Sequence, residues 1–88
     1  MQTQRDNKGH IYARVGNIRV TYIPAEDREP DKDWSGSDVI RVNAYKDSTS
    51  NSIFQGAEFP VATPTDFADF VAAICQVYAE GRLGRITI

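Results

Sequence analysis

A chain of 88 residues has room for one domain, and a domain of that size buries only about 60% of the surface its unfolded chain exposes, so any function must sit on the outside of one small core. Its 41% hydrophobic and 25% charged residues are the proportions of an ordinary folded protein and exclude wholesale disorder, while the single cysteine, Cys75, excludes an internal disulfide. The net charge of -2 weighs against a partner recognised through overall basic charge.

No apolar run approaches the roughly 18 residues of a membrane span, and the opening "MQTQRDNKGH" has no apolar core of a signal peptide. The chain is therefore expected in the cytoplasm, away from membranes. Residues 1 to 9 read as a flexible N-terminal stretch.

From His10 to Ile23 apolar and polar residues alternate, broken once by Gly16-Asn17, a pair suited to a tight hairpin turn. Counting outward from that turn pairs Val15 with Ile18, Ala13 with Val20 and Ile11 with Tyr22 on one face. Arg14 with Arg19 and Tyr12 with Thr21 fall on the other. A slip of one residue would mix the faces, so the register is well specified. It also sets two guanidiniums directly opposite each other, an arrangement that destabilises a strand pair unless something offsets it.

Pro24 ends the second strand, and residues 24 to 38 hold six acids against two bases in a proline-bracketed surface loop. The remainder has eight bases and six acids, so the body is mildly basic and the loop acidic. A third strand follows in "VIRVNAYK", with Ile40, Val42 and Ala44 on one side and Arg41, Asn43 and Tyr45 on the other. After the turn "DSTSNS", the segment "IFQGAEFPV" forms a fourth strand with Ile53, Ala57 and Phe59 in phase and Gly56 marking a bulge.

"TPTD" starts a helix over residues 63 to 81. Thr63 caps it, Pro64 suits its first position, and Asp66 favours its amino end. Phe67, Phe70, Val71, Ile74, Val77 and Tyr78 form one apolar stripe, expected to line the core. Gly81 is expected to stop the helix, and "RITI" could add a short terminal strand, within the chain or across to a partner. The fold class is thus α+β: a four-stranded antiparallel sheet in ββββα order, its apolar face covered by one C-terminal amphipathic helix.

Tyr12, Arg14, Arg19, Arg41, Asn43 and Tyr45 converge on the face away from that helix. Guanidiniums bind phosphate bidentately and tyrosines stack on unpaired bases, so this is a candidate binding surface. The plainer alternative is that exposed strands favour such residues and that acids of the loop fold back over the arginines. The order of elements resembles that of the single-strand-binding transcription coactivators and the Whirly-type domains, in topology alone, and the resemblance implies single-stranded nucleic acid as a partner.

Trp34, within the acidic loop, is either an anchor for a partner or a lid on the core. Asp31, Asp33, Ser35 and Gly36 open like a calcium loop, but position twelve is Val42 where a bidentate Glu belongs, so no metal is expected. His10 and Cys75 are single members of their kinds with nothing to place them together, and Cys75 reads as a small core residue. No phosphate loop, nucleophile elbow or zinc spacing is present, so neither catalysis nor a cofactor is expected. The sequence points to a small binding module, of a kind that fits accessory proteins of phages or mobile elements. Its expected partner is another protein or a second copy of itself. The alternative is a single-stranded nucleic-acid binder using the arginine and tyrosine face.

Overall fold

The computed structural model describes residues 1–47, 49 and 51–86. Strands β1 (Gln4–Arg5), β2 (Ile11–Val15), β3 (Ile18–Ile23), β4 (Val39–Ala44) and β5 (Ala57–Pro60) form one antiparallel sheet in chain order, and helix α1 (Pro64–Ile86) follows. The sheet therefore has five strands where the sequence suggests four. The additional one is β1, which pairs with β2 through Gln4 opposite Tyr12 and Arg5 opposite Ile11.

The hairpin forms in the expected register, with Val15 opposite Ile18, Arg14 opposite Arg19, Ala13 opposite Val20 and Tyr12 opposite Thr21. Gly16 supplies the left-handed backbone its turn needs, with φ at 59°. Strand β4 extends the same faces: Val20 meets Val42 and Tyr22 meets Ile40, while Arg19 meets Asn43 and Thr21 meets Arg41. On β5, Phe59 lies opposite Ile40 and Glu58 opposite Arg41, so Phe59 belongs to the apolar face and Glu58 to the polar one. The segment before β5 departs from a regular strand at Ile53, which makes an isolated bridge to Tyr45.

The most buried residues lie on or beside the polar face. Ile23 and Val39 are 2% and 0% exposed, and Thr21, Asn43, Tyr45 and His10 are also buried. The reason is the loop over residues 24 to 38, which closes over that side and holds a single 3-10 turn at Ala25–Asp27. Asp38 ties its ends together: its carboxylate accepts from the Ala25 backbone N–H and from the Tyr22 hydroxyl.

The apolar face is not covered as expected. Helix α1 begins as the sequence indicates, with the Thr63 hydroxyl accepting from the Asp66 N–H at 3.1 Å. The Phe70 ring then meets Phe59 with centroids 4.8 Å apart. Beyond Phe70, every residue to Gly84 is exposed. Phe67, Val71, Ile74, Val77 and Tyr78, expected in the core, are therefore on the surface, and so is Cys75. The connector explains this. Only residues 61 to 63 separate β5 from α1, with proline on either side, and Val61 is buried and hydrogen-bonded to the Asp38 carbonyl. So short and anchored a link directs the helix past the sheet rather than back across it.

The helix also runs through Gly81 and Gly84 to Ile86, so Gly81 does not stop it. Residues 85 and 86 of the suggested terminal strand are helical, and residues 87 and 88 lie outside the described residues.

Candidate functional site

Two surfaces compete for a functional role, and they lie on opposite faces of the sheet. On the polar face the structure brings together six of the seven candidate residues, but it gives them partners within the chain. The Arg14 guanidinium lies 3.7 Å from the centre of the Tyr45 ring, and that of Arg19 lies 3.8 Å from Tyr12. Arg19 also stands 3.7 Å from the Asp6 carboxylate. Asn43 is buried and donates to the Phe54 carbonyl at 3.0 Å.

Arg41 belongs to a three-residue clamp. Its guanidinium contacts Glu58 at 2.8 Å, and Glu58 also accepts two bonds of 3.0 Å from Arg28, whose side chain is 5% exposed. Arg28 donates further to the Asp33 carbonyl, which pins the loop to β5. Its Nε is buried without a hydrogen-bond partner, a residual cost of the closure. Hydrogen bonds from Arg28 hold the Glu58 carboxyl below the usual glutamate range, Arg41 adds to this, and burial opposes it. Near the N-terminus, burial pushes the Asp6 carboxyl up, but backbone N–H groups of His10 and Lys8 and the charges of His10 and Arg19 outweigh it and hold the carboxyl low.

His10 is fixed from both sides, with Nε2 2.9 Å from Asp27 and Nδ1 3.7 Å from Asp6. The loop thus covers the polar face with Arg28 and Asp27, while the acids that meet Arg19 and Arg41 are Asp6 and Glu58. Sequence reasoning missed both acids. Glu58 left a signal, since alternation along β5 sets it on the arginine face beside Arg41.

An open cleft of about 980 Å³ lies between the loop and the strands, lined by Arg19, Arg28, Arg41, Asp6, Asp27 and Glu58 among others. Its arginines, Arg19, Arg28 and Arg41, each stand within contact distance of an acid, and Lys8 and Lys32 also line it. Trp34 does not join this face as a lid: it is 48% exposed in the loop, with φ at 62°. Among the described residues no three His, Cys, Asp or Glu side chains gather as a metal site, and no helix is long and apolar enough to cross a membrane.

The second surface was not singled out by sequence. On the apolar face Ile11, Val15, Ile18 and Tyr22 are each 40% to 49% exposed, and the helix stripe stands clear of them. No protein-family model, curated protein or solved structure matches this chain. Its chemistry is therefore read from these two faces.

Proposed function

We propose that the protein is a non-enzymatic interaction module that works through protein contacts, and that its working surface is the apolar sheet face together with the exposed helix. The observation that carries this reading is the exposure of Phe67, Val71, Ile74, Val77 and Tyr78 along one helix. Contiguous apolar surface beyond a few hundred Å² is unusual on a monomer and marks a contact site. Alanines at 68, 72, 73 and 79 flank the large residues and widen the apolar side of the helix, the side that such helices bury.

The arginine and tyrosine face supports nucleic-acid binding less well. Its guanidiniums already stack on the tyrosines that would have to receive bases, and Asp6 and Glu58 supply the negative charge that a phosphate would bring.

The test compares two properties of the purified protein. Labelled single strands are titrated at low and moderate salt, while light scattering and the fluorescence of an apolar dye such as anilinonaphthalene sulfonate are followed in parallel. The expected result is no salt-sensitive strand binding, together with self-association or, in a monomer, strong dye binding. A monomer that leaves the dye dark and binds strands in proportion to falling salt would overturn the reading in favour of nucleic acid.

A further inference from the structure

We propose that the occupant of both apolar surfaces is a second copy of this chain, and that the two copies exchange helices, each laying α1 across the sheet of the other. The proposal rests on the interaction-module reading and adds the identity and geometry of the partner.

Four observations carry it. The first is complementarity within one sequence. The chain holds a sheet face of Ile11, Val15, Ile18 and Tyr22 that lacks a covering layer, and a helix stripe of Phe67, Val71, Ile74, Val77 and Tyr78 that lacks a surface to cover. A helix packed on a sheet is the two-layer architecture that buries both.

The second is that the chain cannot easily make this contact with itself. The connector of residues 61 to 63 is anchored by Val61, so swinging α1 back over β2 and β3 would require releasing that buried residue and its bond to Asp38. A short, constrained link between a folded body and an element it cannot dock is the usual setting for exchange between protomers.

The third is size. With 23 residues α1 is about 34 Å long, and a five-stranded sheet is about 20 Å wide, so the overhanging part can reach across a neighbour's strands. The radius of gyration is 15.1 Å, against about 12 Å for a compact chain of this length. The exposed apolar residues of the two surfaces together offer on the order of 1,000 Å² per chain, which meets the roughly 800 Å² per partner of a stable interface.

The fourth is charge and closure. The charges on the two surfaces lie at their margins: Arg5 is opposite Ile11 on the edge strand β1, and Arg82 donates to the Tyr78 hydroxyl, while Asp69 and Glu80 lie on the opposite side of α1 from Phe67, Val71 and Tyr78, so docking centred on Ile18 can leave both guanidiniums at its rim. In a two-fold arrangement each copy gives one helix and receives one. Both surfaces are then satisfied at two chains, with nothing left to propagate.

The full-length protein is measured by light scattering over a concentration series, and the expected mass is twice 9.8 kDa. Ile74→Glu combined with Val77→Glu is expected to halve that mass and to keep the strand signal in circular dichroism, because both positions are more than half exposed in the single chain.

The geometry is read by mixing two chains that both carry Cys75→Ser, one with Ile18→Cys and the other with Ile74→Cys, under a flexible bismaleimide. Crosslinks between the unlike chains are expected, with Val15→Cys and Tyr78→Cys as a second pair should the first be poorly placed. A monomer at every concentration overturns the second copy while leaving the interaction reading intact, since such a monomer would still bind the dye. Crosslinks confined to like pairs, Ile18→Cys with itself or Ile74→Cys with itself, overturn the exchange and show sheet-on-sheet or helix-on-helix packing.

Discussion

Arg14 and Arg19 stand directly opposite each other across β2 and β3, yet their guanidiniums rest on different rings, Arg14 on Tyr45 and Arg19 on Tyr12. The like-charge pair that the hairpin register imposes is thereby separated. Each cation–π contact is worth about 0.5 to 1 kcal/mol at a partly exposed site, and relief of the repulsion a few tenths. Replacing both arginines with Gln should therefore lower stability by about 1 kcal/mol in a urea titration. A gain in stability would show that the rings do not offset the repulsion.

The contact between Phe59 and Phe70 is the aromatic pair that joins helix to sheet within the chain. Phe70 is only half-buried, so Phe70→Ala should cost less than the 3 to 5 kcal/mol of a fully buried phenylalanine. A double-mutant cycle of Phe59→Ala and Phe70→Ala, at one protein concentration, should give a coupling energy of about 0.5 to 1.5 kcal/mol. Strictly additive losses would mean that the two rings act separately.

The clamp of Arg28, Glu58 and Arg41 makes stability depend on acid. Hydrogen bonds from Arg28, joined by Arg41, lower the Glu58 carboxyl in the folded chain, so as pH falls the unfolded chain takes up its proton first. The contribution is complete at neutral pH, starts to fall near the ordinary glutamate value of about 4, and is lost once pH has passed below the depressed one. Glu58→Gln should cost roughly 1 to 3 kcal/mol at neutral pH, because it weakens a buried arginine's bonds. The same variant should flatten the acid limb of a plot of melting temperature against pH. An acid limb as steep as that of the parent would assign the dependence to other groups, Asp6 first among them.

Local chemistry made the hairpin, the Thr63 cap and the two faces of β3 and β4 legible, because period-two alternation, a turn glycine and a capping hydroxyl act between near neighbours. The stripe on α1 announces that the helix requires burial, but nothing in its periodicity says against which chain. That outcome depends on the exit angle set by residues 61 to 63, a tertiary fact that begins with the burial of Val61. Gly81 misled for a related reason. Glycine weakens a helix interior without ending it, and the turns on either side carry the segment through to Ile86. Of the arginines' acidic partners, Glu58 was within reach of strand alternation. Asp6 was not, because its place follows from the turn that bonds it to Gly9 and His10.

The glycine read as a bulge can be tested where the chain is tightest. Gly56 precedes β5, and a Cβ placed on it would run into the Val42 carbonyl oxygen and the side-chain amide of Asn43. Asn43 is itself held, since its amide donates to the Phe54 carbonyl and its side chain is buried. Gly56→Ala must therefore push the segment over residues 53 to 56 away from β4, and a loss of about 1 to 3 kcal/mol is expected from that overpacking. Asn43→Ala removes one obstacle but not the other. The Val42 oxygen belongs to the backbone of a central strand and cannot turn aside, so the double variant should recover little of the loss. Thermal unfolding of the single and double variants measures this directly. Full recovery in the double variant would show that the side chain alone sets the limit, and an unchanged melting temperature in Gly56→Ala would show that residues 53 to 56 are free to shift.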